Sequence, residues 1–230
     1  MPGVLLIGAG GLGVAVALAL SGTPLRRLGI VDPDIVSLSN LQRQVLYHTS
    51  DLDKAKVTCV VHHLAARCPD LEVTPHRMCP TDAGAIIDLA RDYDLLVDGS
   101  DNFPTRFAAN DAAVTLGIPL VHGAATGCKG QVMSIAPGRS ACLRCLFGGP
   151  PEEGGPTCRT QGVLGSLVGE VGWLMALEAA HWLAGNEGRL LDRLLTIDVI
   201  SGRRRHVPLH RQKDCTVCGR PGVALRFGRD

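Results

Sequence analysis

The sequence predicts one α/β domain, a mixed but mainly parallel sheet held between two layers of helix, and three observations carry that prediction. Short apolar runs alternate with stretches of helical period from Val4 to Gly123, the pattern of a sheet wound with crossover helices. The run Leu95-Leu96-Val97 is wholly apolar, as a strand covered on both faces must be. Past Gly123 the strands follow one another without a helix between them, so an antiparallel addition to the sheet is expected. At 230 residues the chain is long enough for a full core and is most economically a single domain, residues 1–230.

The first strand is Val4 to Ile7. Gly8-Ala9-Gly10-Gly11-Leu12-Gly13 follows directly, and Val14 to Leu20 is helical material. Strand, glycine-rich turn and helix N-terminus together receive phosphate, because unpaired N–H groups and the helix dipole converge there. This makes the fold Rossmann-like, and by itself the spacing fits an NAD or FAD site. A second strand, Arg27 to Val31, ends at Asp32, where such a fold places a carboxylate for ribose. Asp34 and Ser39-Asn40-Leu41-Gln42-Arg43-Gln44 then bring a second carboxylate, amides and a guanidinium. An oxidoreductase has no general need for that cluster. A site handling a triphosphate with its metal does, since Arg43 can neutralise phosphate and the amides can orient it.

Leu41 to Leu46 is a turn or short helix, and Ser50-Asp51-Leu52-Asp53 is expected to cap the helix that follows. That helix carries Val57, Val60, Val61, Leu64 and Ala65 toward a sheet and stops near Cys68-Pro69. Lys56, in its first turns, is either a solvated charge or a phosphate contact. Leu71 to Thr74 is the third strand, Thr81 to Ala90 a helix, and Asp94 to Asp98 the fourth strand. Gly99-Ser100-Asp101-Asn102 follows at the strand end, where open α/β sheets bind ligands. Asp101 is the metal or nucleotide candidate there, whereas Asp98 can be explained as a strand-end cap. Phe103 to Leu116 is helical, and Pro119 to Gly123 and Gly130 to Ala136 are strands. A long Gly/Pro/Glu loop, 148–162, carries Cys158-Arg159-Thr160. Val163 to Ala184 is the longest helical pattern, with Gly162, Gly165, Gly169 and Gly172 spaced for close packing. The Leu194 to Val199 region and Arg203 to Val207 form a hairpin turning at Ser201-Gly202.

Composition narrows the classes. A net charge of +1 provides no broad basic field, so neither nucleic acid nor an acidic membrane surface is expected as a partner. Met1-Pro2-Gly3 lacks the features of a signal peptide, and Leu164 to Leu183 is interrupted by Glu170 and Glu178, so a soluble cytoplasmic protein is expected. Of 9 cysteines, Cys142 and Cys145 form one C-x-x-C and Cys215 and Cys218 another. Four soft ligands in two close pairs read as a structural, tetrahedral Zn²⁺ site toward the C-terminus; redox pairs or an iron–sulfur centre are the other readings. Cys158 stands apart, with Arg159 beside it to favour the thiolate; an idle loop cysteine is the alternative.

These motifs, together with the Cys158 to Gly165 stretch and in this order, resemble the ThiF/MoeB/HesA adenylating enzymes, bacterial relatives of the ubiquitin-activating enzymes. The Cys158-Arg159-Thr160 variant looks nearer to the thiamine-pathway member than to the molybdopterin-pathway member. The resemblance implies ATP- and Mg²⁺-dependent adenylation of the C-terminal glycine of a ubiquitin-like sulfur-carrier protein ending in Gly-Gly. Pyrophosphate is released, and a sulfur donor then makes the thiocarboxylate. It implies a nucleotide-binding core over 1–136 and a zinc-bound, carrier-binding part over 137–230, with residues 148–162 as a crossover loop. It also assigns roles. Gly8, Gly10, Gly11 and Gly13 form the nucleotide turn, and Asp32, with Asp34 beside it, takes the ribose. Asn40, Arg43 and Lys56 contact phosphate, Asp101 holds Mg²⁺ with Asn102 next to it, and Cys158 serves sulfur transfer or a covalent link to the carrier. A homodimer is implied as well.

Family members usually carry an N-terminal helical arm whose arginine reaches the partner's ATP site, and nothing before Val4 matches it. No rhodanese-like extension follows Cys218, so the sulfur donor is expected to be a separate protein, such as a cysteine desulfurase or rhodanese. Two rival readings remain open at this point. A nicotinamide oxidoreductase would use the Gly8 to Asp32 unit but leave Arg43, Lys56 and the cysteine pairs without a purpose. A non-catalytic carrier-binding module would fit the missing arm.

Overall fold

The computed structural model describes residues 2–150 and 162–226. Its sheet begins with β1 (Gly3–Ile7), buried throughout, and β2 (Arg27–Val31), its parallel neighbour. The other parallel strands are β3 (Glu72–His76), β4 (Leu95–Asp98) and β5 (Leu120–Thr126); β6 (Lys129–Ile135), β7 (Arg193–Asp198) and β8 (Arg203–Pro208) continue antiparallel. The order across the 8-stranded sheet is β3-β2-β1-β4-β5-β6-β7-β8. The expected mixed sheet is therefore present, and it changes character at the β5–β6 hairpin.

Two apolar cores cover its faces. On one, α1 (Gly11–Ser21) and α2 (Lys56–Arg67) pack with a long helix from the C-terminal part of the chain. On the other lie α3 (Ala83–Ala90), α4 (Phe103–Leu116) and the short α5 (Leu143–Phe147). The long helix, α6 (Gly165–Leu183), contributes Val168, Val171, Met175 and Trp182 to the first core. β4 shows why its run is apolar: Leu95 and Val97 point into the first core and Leu96 into the second. Burial of this kind stabilises by roughly 25 cal/mol per Å² of apolar surface and supplies most of what holds the layers together.

Several expectations need correction. Ser50 to Asp53 does not cap α2: its N-cap is Ala55, with no side-chain bond, and Lys56 N–H donates instead to Asp34 C=O at 3.0 Å. Asp51 turns inward, its Oδ2 accepting from His48 N–H at 3.0 Å and meeting His63 Nε2 at 2.7 Å, so it serves its own turn and not α2. The glycine spacing along α6 has a mixed outcome. A Cβ at Gly172 would press on Leu12 and Ala15 of α1, whereas one at Gly169 would meet nothing within 4 Å. α5, which begins inside the first cysteine pair, was not foreseen. Most of the 148–162 loop, Cys158 included, lies outside the described residues.

The two edge strands are unlike the centre. β3 carries Pro75, which has no N–H to donate, and β8 is exposed along its whole length with three consecutive arginines, Arg203 to Arg205, and Pro208 at its end. No helix among the described residues is long and apolar enough to cross a membrane.

Candidate active site

The crevice forms where the parallel strands end. Gly8 turns the chain with φ +97°, a conformation that favours glycine, and a Cβ there would lie 2.9 Å from Gly99 C=O. A Cβ at Gly13 would collide with the Gly8 carbonyl, so α1 starts directly against the turn. Gly10, the N-cap of α1, differs: a Cβ there would meet only Gln44 Nε2, at 3.9 Å. Two glycines are thus needed for backbone packing, and the third leaves open space beside free helix N–H groups, where a phosphate fits.

Asp32 closes the turn from the β2 side. Its Oδ2 accepts from Ala9 N–H at 2.7 Å and its Oδ1 from Asp34 N–H at 2.9 Å. Burial raises its carboxyl above the ordinary value, although Lys56 and these two N–H groups pull the other way. Lys56 is 4% exposed, and its Nζ lies 2.7 Å from Asp34 Oδ2 and 3.9 Å from Asp32 Oδ1. A lysine buried this far is no solvated surface charge. Because the Asp34 carboxylate is largely exposed, a phosphate could replace it on Lys56.

Asn40 opens a tight turn whose carbonyl accepts from Arg43 and Gln44 N–H, at 3.1 and 3.0 Å. That turn lays Arg43 over the start of α1, with its Cγ 3.4 Å from a Cβ placed on Gly11. Arg43 is held loosely, by one 3.2 Å bond from Nη1 to Ser39 C=O. Tyr47 anchors the loop from inside by donating its hydroxyl to Ala9 C=O at 2.7 Å. On the far side, the Gly8–Gly99 contact sets the Ser100 to Asn102 turn beside the glycine turn. Asp101 is exposed; Asn102 Oδ1 is spent on capping α4 through Thr105 N–H at 2.9 Å, leaving its NH₂ for a ligand. Gly8, Gly10, Gly11, Gly13, Asp32, Asp34, Asn40, Arg43 and Lys56 therefore surround one helix N-terminus, with the Asp101 turn adjoining it. Cys158 is outside the described residues.

The four paired cysteines converge within the second core. The Sγ atoms of Cys142, Cys145, Cys215 and Cys218 all lie within 4.8 Å of one another, with contacts of 3.9, 3.7 and 3.4 Å. Tetrahedral Zn–S bonds of about 2.3 Å put sulfurs about 3.8 Å apart, so the donor set fits the metal. Gln212 N–H donates to Cys145 Sγ at 3.4 Å, which suits a thiolate. Burial pushes the Cys142 thiol up to about 11; burial also acts to raise Cys215, but N–H groups of Val217 and Cys218 bring it down to about 7. The site is tied to α4 by Leu143 N–H to Asn110 Oδ1 at 2.8 Å and by a two-pronged Arg144–Asp111 pair.

A model described as the ThiF family matches residues 2–217. The chain belongs to the ThiF family. Among its ThiF-family relatives, the sulfur carrier protein adenylyltransferase of Thermus thermophilus is 42% identical over 222 residues, covering 94% of this chain and 82% of that protein. The SAMP-activating enzyme E1 of Haloferax volcanii is 40% identical over 222 residues, with 96% and 81% covered. The adenylyltransferase and sulfurtransferase MOCS3 of Sus scrofa is 40% identical, over 96% of this chain but 49% of its own length. In fold, this ThiF-family chain superposes on Escherichia coli MccB solved with ATP at a TM-score of 0.84 and 20% identity, covering 95% and 67% of the two chains.

The sequence reading passed over three groups at this site. Asp98 does cap its strand end, accepting from Ser100 N–H at 3.0 Å, but it is also fully buried and meets His122 Nδ1 at 2.8 Å. Tyr47 and the Asp51–His63 pair brace the loop that carries Arg43. His122 could have been noticed as a polar residue inside an apolar strand, Leu120-Val121-His122-Gly123-Ala124.

Proposed function

We propose that this chain adenylates the C-terminal glycine of a ubiquitin-like sulfur-carrier protein. The observation that carries the reading is the convergence of Arg43, buried Lys56 and Asp32 on the N-terminus of α1 at Gly10. A carrier carboxylate oxygen attacks the α-phosphorus of ATP, the bond from that phosphorus to the α,β-bridging oxygen breaks, and pyrophosphate leaves with the bridging oxygen. The attacking carboxylate is already ionised, so no general base is required. Arg43, Lys56 and the N–H groups at the start of α1 stabilise charge that grows on phosphate oxygens, and Asp32 accepts from the ribose hydroxyls. Asp101 would hold Mg²⁺, which when bound neutralises phosphate oxygens; one carboxylate together with substrate phosphates is the usual donor set for that ion.

The four thiols would hold one Zn²⁺ in a structural role, as the closed, buried sulfur set favours. The sulfur donor is a separate protein, and the active species is a homodimer. Cys158 acts after adenylation, in sulfur transfer: Cys158→Ser should keep ATP–pyrophosphate exchange and lose thiocarboxylate formation, read by mass spectrometry of the carrier. The main reading is tested by the same exchange assay with a carrier ending in Gly-Gly. Carrier-dependent exchange is expected. Carrier binding without exchange would favour a non-catalytic module, and NAD binding without exchange an oxidoreductase.

A further inference from the structure

We propose that the buried pair Asp98–His122, acting through Ser100, positions Asp101 and so sets how tightly the ATP-bound divalent cation is held. The proposal rests on the adenylation reading and deepens it. Asp98 ends β4, and the register Asp98↔His122 between β4 and β5 sets the two side chains face to face. Asp98 has no exposed surface and His122 1%. His122 Nδ1–H donates to Asp98 Oδ2 at 2.8 Å, while Asp98 Oδ1 accepts both Ser100 N–H at 3.0 Å and Ser100 Oγ–H at 2.6 Å.

Ser100 is thus held from below. From the other side Arg106 donates Nε and Nη2 to Ser100 C=O, at 3.3 and 3.1 Å, and its guanidinium lies 5.2 Å from the centre of the Phe103 ring. Asn102 is fixed as the cap of α4. The residues flanking Asp101 are both held by hydrogen bonds, whereas Asp101 itself is exposed and its carboxylate is bonded to no other described residue. A turn pinned on both sides of one free carboxylate displays that carboxylate in a fixed place. Stability alone gives little reason for the buried pair, because an apolar pair of similar volume is often as stabilising. An ionised Asp98 accepts all three hydrogen bonds at once, with His122 Nδ1 as the donor on Oδ2.

The test uses the full chain and compares Ser100→Ala, Asp98→Asn, His122→Phe and His122→Asn. Mn²⁺ binding to the enzyme with ATP is read by electron paramagnetic resonance. The Mg²⁺ half-saturation of pyrophosphate exchange and the melting temperature are measured alongside. The first three variants should bind Mn²⁺ about tenfold more weakly and need correspondingly more Mg²⁺, with excess metal restoring exchange. His122→Asn keeps a donor near Nδ1 and should stay close to wild type. Ser134→Ala, which removes a 2.6 Å bond to buried Glu178 on the other face of the sheet, serves as a control for destabilisation alone. Unchanged metal affinity in Ser100→Ala, or an equal loss in Ser134→Ala, overturns the proposal. Should Asp98→Asn fail to fold, Ser100→Ala still decides. A wild-type chain with no exchange overturns the adenylation reading and this proposal with it, whereas an active wild type with metal-insensitive variants overturns the positioning role only.

Discussion

The parallel and antiparallel halves of one sheet are put to different uses. In the parallel half, polar groups collect where strands stop, and each is placed by main-chain bonds: Ala9 N–H to Asp32, Lys56 N–H to Asp34 C=O, Ser100 N–H to Asp98. In the antiparallel half the last strand is exposed, and nearby chain from Cys142 to Cys218 is gathered by sulfur. Side chains in the crevice can therefore be changed at little cost to folding, while the sulfur cluster can be lost only at a cost to it. Activity reports on one half and stability on the other.

The sharpest way to break this contrast is to remove two thiols. Cys215→Ser with Cys218→Ser should take zinc from about one per chain to none by elemental analysis and cost on the order of 5 kcal/mol in denaturant unfolding. Full metal content in that variant would end the zinc assignment. Next in size, Arg43→Ala and Asp101→Ala should each slow pyrophosphate exchange by about a hundredfold or more, with stability changed by only about 0.5 kcal/mol. An active, folded variant of either kind would remove that residue from the site.

The glycines divide the parallel half itself. Gly13→Ala should destabilise by about 1–3 kcal/mol, because its methyl has only the Gly8 carbonyl to push against. Gly10→Ala should melt near wild type yet bind ATP more weakly, as seen by calorimetry; equal behaviour of the two would refute the distinction. The smallest effect concerns Asp51. Burial acts to raise its carboxyl, but His48 N–H and His63 outweigh it and hold the carboxyl below its ordinary value. A lowered carboxylate adds stability above its unfolded value and loses it as pH falls through the folded one. Asp51→Asn should thus cost about 1 kcal/mol at neutral pH, and the two unfolding curves should converge in acid.

What could be read from the sequence was what the chain encodes locally. The strand–turn–helix from Val4 to Leu20, the helix Phe103 to Leu116 and the hairpin at Ser201-Gly202 all follow from period and turn residues. The cysteine pairs announce themselves by spacing. Bonds between distant residues do not: Tyr47 reaches Ala9 38 residues away, and His122 reaches Asp98 24 residues away only because β4 and β5 pair in one register. Ser50 to Asp53 misled for a related reason. Its local pattern suits a cap, but His63, 12 residues further on, competes for the Asp51 carboxylate. Lys56 was ambiguous in sequence because charge alone does not reveal burial.

The ends of the sheet carry a consequence for how this protein meets other copies of itself. An open strand edge offers a ladder of unused N–H and C=O groups on which a stray chain can grow, the route to fibrous aggregates. At β3 the ladder is interrupted by Pro75, and at β8 any incoming strand meets the exposed charges of Arg203 and Arg205, with Arg204 paired to Glu170 between them. Both edges are thereby blunted against polymerisation.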